Sequence, residues 1–306
     1  MAATVRPATP QELTEAVVRR FDSCEDERLR ELMQSLVRHL HGFAIEVGLS
    51  EAEWGTAIDE LTATGHITNA RRQEFILWSD SLGLSNLVDV LANPLPPGVT
   101  ESTVIGPFYV ANSPLREYGE SMVEEADEQG TPAWVHGRIL GDDGEPVPGA
   151  ELDVWQNGFD ELYAVQKPEG EEDHLRGRYL TRADGAFAFT AVRPVPYPIP
   201  YDGPVGKMLE ATGRHPWRPA HIHVIVRAPG YRTVVTHLFD EASKYLDSDA
   251  VFAVKPSLLR RFVPREADDP ERPSSIQRGD WVSLESDITL LRGGERAAVV
   301  DPGRTA

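Results

Sequence analysis

The run Asn93-Pro94-Leu95-Pro96-Pro97-Gly98 constrains this chain more than any other feature. So many prolines cannot continue a helix, and the texture of the sequence differs on the two sides. Before the run, Thr9-Pro10-Gln11-Glu12 places a hydroxyl at an N-cap, proline at the first helical position and glutamate two residues later. That spacing satisfies two orphan backbone donors reciprocally and predicts a helix start. Ser50-Glu51-Ala52-Glu53 repeats the device, and Leu29, Leu32, Met33, Leu36, Val37 and Leu40 recur between them at helical spacing, giving one apolar stripe. Phe75, Ile76, Trp78, Leu82 and Leu84 carry helical packing on toward Leu87 and Val90. Beyond Pro132 the pattern changes to short apolar alternations, VHGRIL, AELDVWQ, FAFTAV and HIHVIV, separated by turns such as Asp142-Asp143-Gly144. These read as antiparallel strands of a β sandwich or barrel. The expected fold is therefore α+β in two parts, a helical domain with its linker over residues 1–105 and an all-β sandwich over residues 106–306. Pro194 to Pro204 reads as a long loop, and the tail after Arg292 as loosely ordered.

Charge and cysteine content narrow the function. With 30 Lys plus Arg against 49 Asp plus Glu the formal charge is −19, which repels nucleic acid and anionic lipid. No apolar run is long enough to span a bilayer, and the first twenty residues lack the apolar centre of a secretory signal, so a cytoplasmic protein is expected. The single Cys24 forms no internal disulfide and supplies no thiolate cluster. Any metal must then be held by nitrogen and oxygen.

His221-Ile222-His223 enters an apolar, β-branched run, so both imidazoles should leave one strand on the same face, as a pair of metal ligands would. The pair alone fits zinc as well as non-haem iron. His39-Leu40-His41, by contrast, lies on a helix, where residues two apart diverge, and reads as surface. Carboxylates are scarce around the strand pair, whereas tyrosines are plentiful, and phenolate is a hard anionic donor suited to a trivalent ion. Tyr163 in DVWQNGFDELYAVQ and Tyr197 in PVPYPIPYDGP are the candidates, each of which taken singly is equally a packing tyrosine.

Taken in order, EFILWSDSLGLSNLVD, ESTVIGPFYV, DVWQNGFDELYAVQ, RPVPYPIPYDGPVGKMLEATGRHPWRPAHIHVIVRAPGY and THLFDEASKYLDSDAVFAVK resemble the intradiol ring-cleavage dioxygenases over Glu74 to Leu259. The resemblance implies a helical dimerisation domain followed by a β-sandwich catalytic domain, and one Fe(III) per chain on Tyr163, Tyr197, His221 and His223. It implies that the chelating diol displaces Tyr197, which takes a proton, and that Arg218 stabilises the electron-rich ring. It also implies a homodimer through the N-terminal helices, where family members can hold a lipid. Leu77, Asp80, Ile105, Gly106, Pro107, Phe108, Ile199 and Pro200 fall where members line the substrate pocket, and His237 is placed with them.

Asp80 is the informative pocket residue, since an acidic side chain near the ring accepts a hydrogen bond from a third hydroxyl. It points to hydroxyquinol, benzene-1,2,4-triol, with chlorocatechol or catechol as the alternatives within the family. Two positions depart from the pattern. Glu161 stands where a glycine is expected, and His237 where catechol-cleaving members carry glutamine, there either to tune the pocket's proton inventory or, the favoured reading, to hydrogen-bond within the sandwich. Readings from other classes are a zinc hydrolase with a His-x-His site and a non-catalytic β-sandwich module.

Overall fold

The computed structural model describes residues 9–69, 72–124, 129–167, 173–277 and 279–293. The tail from residue 294 onward, read above as loosely ordered, lies outside the described residues. Packing divides the chain into two units, Met1–Ala63 and Thr64–Ala306.

The first unit is helical. Helix α1 (Pro10–Arg19) starts with the expected box: the Glu12 amide donates to the Thr9 hydroxyl and the Thr9 amide to the Glu12 carboxylate. Helix α2 (Glu27–Val47) is capped by Asp26, which accepts from the Leu29 amide, and stops at Gly48, whose φ of +62° is the left-handed turn that glycine adopts freely. Helix α3 (Glu51–Ile67) begins at the second box, on Ser50 and Glu53, and runs across the division. Leu29, Leu32, Leu36 and Leu40 of the α2 stripe are 48% to 57% exposed in the single chain. His39 is exposed, as expected, whereas the His41 Nδ1 is held by the Thr14 hydroxyl at 2.9 Å.

The second unit carries α4 (Glu74–Ser81) and α5 (Leu84–Ala92), the latter stopping at the proline run as the sequence requires. Then come β1 (Pro132–Gly141), β2 (Glu151–Trp155), β3 (Arg176–Leu180), β4 (Ala186–Val192) and β5 (Tyr197–Pro198), followed by α6 (Pro204–Ala211), β6 (Trp217–Arg218), β7 (His221–Arg227) and β8 (Val234–Asp240). The last strands are β9 (Leu259–Arg260), β10 (Val263–Arg265), β11 (Trp281–Glu285) and β12 (Ile288–Leu290). One sheet runs β10-β11-β1-β12 with β4 also on β1, and the other runs β3-β2-β7-β8-β9. The alternation then sorts side chains by face. Val135 and Ile139 of β1, Phe187 and Phe189 of β4, Leu152 and Val154 of β2, and Ile222, Val224 and Val226 of β7 meet in one core between the sheets. Burying each such large side chain stabilises the sandwich by about 1.5–3 kcal/mol. The chain is thus α+β, with a helical N-terminal region and a sheet-rich remainder. Among the described residues no single helix is long and apolar enough to cross a membrane.

Not every pairing is antiparallel. β1 pairs in parallel first with β11 and then, in the same register, with β12, because Ser286 and Asp287 interrupt one long partner strand. At the interruption the Ser286 amide donates to the His136 carbonyl, and a Cβ on Gly137 would lie 2.0 Å from the Ser286 carbonyl oxygen. Only glycine lets the two backbones pass. Gly137→Ala should therefore cost about 1–3 kcal/mol, the usual penalty of overpacking, read as a lower urea midpoint with an unchanged slope.

Candidate metal centre

The second sheet buries both of its faces, and the site lies on the outer one. Because β7 alternates, Ile222, Val224 and Val226 enter the core, while His221, His223 and Ile225 leave on the opposite side. Register places His237 of β8 beside His223, and Trp155 of β2 on its other flank. Leu77 of α4, Ile199, and Val205 and Leu209 of α6 pack on this face around Phe239, so the histidines lie under a dry cover, His221 wholly buried and His223 1% exposed.

Two tyrosines reach the pair. Tyr163 follows a turn in which the Glu161 amide donates to the Gly158 carbonyl, and its own amide donates to the Gln166 side chain. Its hydroxyl lies 3.1 Å from Nε2 of His223. Tyr197 belongs to β5, inside the segment expected to be a loop, and its two-residue ladder with β6 sets it opposite Arg218. Arg218 Nη1 donates to the Tyr197 hydroxyl at 3.1 Å and lies 3.3 Å from Nε2 of His221. The Nε2 atoms of His221 and His223 are themselves 3.1 Å apart. Two phenol oxygens and two imidazole nitrogens thus meet at one spot.

The protonation states suit a cation. Burial lowers the pKa of His221 and of His223 well below the ordinary 6.5, helped by Arg218 and, for His223, by His221, so both rings are neutral donors. His221 Nδ1 lies 2.7 Å from the Pro219 carbonyl, which can only accept, so the proton sits on Nδ1 and the Nε2 lone pair faces the phenols. Burial and the neighbouring Tyr197 push the Tyr163 phenol well above its ordinary 10. A multiply charged cation is what would draw that proton off. Burial also opposes the charge of Arg218, but Asp249 and the two phenols outweigh it, and the guanidinium stays protonated. Its Nη2 is buried without a hydrogen-bond partner among the described residues.

Of the expected pocket residues, Phe108 stacks on Tyr163 with ring centroids 4.6 Å apart, and Ile105 packs in the same cluster. A Cβ on Gly106 would meet Cε1 of His223 at 3.4 Å, so the bare backbone there lies against the histidine edge. Pro107 and Pro200 are half-buried in these two segments. Asp80 is 3% exposed; burial raises its pKa, while Ser85 and Arg218 oppose the rise. His237 is fully buried, and its Nε2 lies 2.8 Å from Nδ1 of His223, behind that ring as seen from the phenols. His221, His223 and His237 also offer nitrogens within 4.8 Å of one another. Glu161 has φ +68°, the left-handed region that a glycine enters without strain, which accounts for the glycine expected there.

Three participants had no sequence signal. Trp155 stacks on His223 at 4.6 Å and 11°, fixing the ring plane. Asp249, 4% exposed, accepts from Nε of Arg218 at 3.2 Å and from the amides of Val251 and Ala253, closing a turn in which Phe252 takes φ +58°. The β5–β6 ladder lies in segments too short and proline-rich to read as strand.

A family model described as Dioxygenase matches residues 104–278, and one described as Catechol dioxygenase N terminus matches residues 26–100. Hydroxyquinol 1,2-dioxygenase of Nocardioides simplex is 47% identical over 283 residues, covering 92% of this chain and 96% of that protein. The 6-chlorohydroxyquinol 1,2-dioxygenase of Cupriavidus pinatubonensis is 49% identical over 260 residues, covering 85% and 93%. The solved hydroxyquinol 1,2-dioxygenase of Pseudomonas putida DLL-E4 superposes with a TM-score of 0.87 at 45% identity, covering 93% of this chain and 99% of that one.

Asp249→Ala would leave a buried guanidinium without its counter-charge. The expected loss is about 3–5 kcal/mol of stability, measured by denaturant titration; a loss below 1 kcal/mol would mean that Arg218 is held by other groups.

Proposed function

The chain belongs to the intradiol ring-cleavage dioxygenase family, and from that premise we propose that it opens hydroxyquinol between its two adjacent hydroxyls. Both atoms of dioxygen enter the product, 3-hydroxy-cis,cis-muconate, the enol form of maleylacetate. The observation that carries this reading is the convergence of Tyr163 and Tyr197 hydroxyls on the Nε2 atoms of His221 and His223 through contacts of 3.1 Å and Arg218. In this reading the four side chains hold one Fe(III) per chain, since two hard phenolate oxygens and two neutral imidazoles suit it and no thiolate is at hand. Bound there, the ion supplies a template and Lewis acid for the two diol oxygens.

The chain's own residues do the rest. Tyr197, which would have given up its own proton in order to hold the ion, takes one from the incoming diol as it gives way, with Arg218 donating to its oxygen. Tyr163, pinned between Phe108 and His223, stays in place. Arg218 keeps its charge through Asp249 and turns it on the ring as that becomes electron-rich, with Nη2 left for a substrate oxygen. Leu77, Ile105, Phe108 and Ile199, with the backbone of Gly106, Pro107 and Pro200, exclude water and set the ring plane. Asp80 accepts a hydrogen bond from the third hydroxyl, and a substrate lacking that group leaves the buried carboxyl one partner short, with Ser85 still beside it. Residues 106–306 form the catalytic portion and residues 1–105 the dimerisation and linker portion of a cytoplasmic homodimer, a state supported by the exposed leucine stripe of α2.

Phenolate-to-iron(III) charge transfer makes the purified protein wine-red, and Tyr197→Phe should weaken the colour and abolish turnover while leaving circular dichroism unchanged. A colourless protein that carries zinc would favour the hydrolase reading instead. Oxygen uptake on hydroxyquinol, catechol and 4-chlorocatechol measures the second point: hydroxyquinol should be preferred, and Asp80→Leu should reduce that preference by about 10-fold or more. Equal use of catechol by the parent protein would remove Asp80 from substrate selection.

A further inference from the structure

Resting on the metal site just described, we propose that His237 is the positioning residue that fixes the tautomer of His223. The two rings are register partners on β7 and β8, and both are buried. Only 2.8 Å separates His237 Nε2 from His223 Nδ1, so one proton lies between two nitrogens, on one ring or the other. If His237 held it, His223 would carry its own proton on Nε2, the atom that faces Tyr163 and His221, and would have no lone pair for a metal. His223 ligates only when its Nδ1 is the donor and His237 Nε2 the acceptor. His221 reaches the same state differently, through the Pro219 carbonyl, which has no choice of role.

The arrangement has a cost that identifies it. Once His237 accepts, its remaining proton sits on Nδ1, which is buried with no hydrogen-bond partner among the described residues. An amide oxygen at this position accepts the same hydrogen bond, with the amide NH2 in place of the buried ring N–H. Glutamine should therefore replace His237 in this role, whereas a side chain of similar size with no acceptor should not. His237 also lies on the wrong edge of His223 to join the phenols: the contacts to Tyr163 and His221 are made by Nε2, and the contact to His237 by Nδ1. A site made of the three histidines would have to give up that hydrogen bond.

The test compares holoenzyme, His237→Gln and His237→Leu for iron content, charge-transfer spectrum and the rate of iron loss to a competing chelator. Loss from His237→Leu should be faster by about 10- to 100-fold, the usual effect of removing a partner of a metal-bound histidine, with a shifted band, while His237→Gln keeps iron at least as long as the parent. Parent-like retention and spectrum in His237→Leu, or loss in His237→Gln as fast as in His237→Leu, would overturn the proposal. Should His237→Leu not fold, nitrogen-15 resonance of the parent protein loaded with gallium(III) decides instead. Protons on Nδ1 of both His223 and His237 support the proposal, and a proton or the metal on Nε2 of His237 refutes it. A parent protein that binds no ferric iron would sink the site itself, and is told apart because that failure needs no variant.

Discussion

Burial of both faces of β7 is the constraint on which the rest of the structure depends. A strand has one face for each parity of residue, and here the even positions fill the sandwich core. The odd positions, His221 and His223, are then obliged to leave on the other face, where α4, α6 and the Tyr197–Ile199 segment close over them. Burial disfavours charge on these rings, so they are neutral bases at ordinary pH, and the same dry cover keeps Tyr163 protonated until a cation arrives. One geometric choice thus sets the position of the rings and their protonation together.

The electrostatic balance around this cluster is uneven. The guanidinium of Arg218 is matched first by Asp249, and the two phenols add to that support. Asp249 does two things at once: its carboxylate takes the amides of Val251 and Ala253, and it turns Nη1 of Arg218 toward Tyr197 and His221. The turn it closes holds Phe252 in a left-handed conformation, a cost of about 1–3 kcal/mol. Such strain persists only where the surroundings over-determine it, and Asn86, whose side-chain amide donates to the Phe252 carbonyl, is part of that determination.

Much of this was legible in the residues. The two capping boxes, the stop at Asn93 and the strand alternation each follow from local chemistry that the tertiary structure does not override. The shared face of His221 and His223 followed from period two alone. What was not legible depends on long-range pairing. Nothing near Asp249 marks it as the partner of a guanidinium 31 residues away. β5 and β6 are only two residues long, and proline hides them. The parallel pairing of β1 with β11 and β12 is invisible to periodicity, which reports faces and not neighbours. His237 was placed with the pocket residues and read as a hydrogen-bonding group within the sandwich, whereas only the register of β8 reveals which atom of which ring it meets.

That parallel pairing has a consequence for how the molecule is made. Ala133 pairs with Val282, and Ile139 with Ile288, so β1, which has β4 on one edge, waits through nearly half of the chain before the neighbour on its other edge exists. By then β2, β3, β7 and β8 have all emerged and can join one another. The sheet that bears the metal donors is therefore able to assemble before the opposing sheet is complete, while only β1 and β4 are at hand to cover the apolar side of β7. Closure of the sandwich over that side is a late, long-range event of the kind that folds slowly. During synthesis the chain's period of greatest exposure to aggregation falls between the emergence of β8 and that of β11.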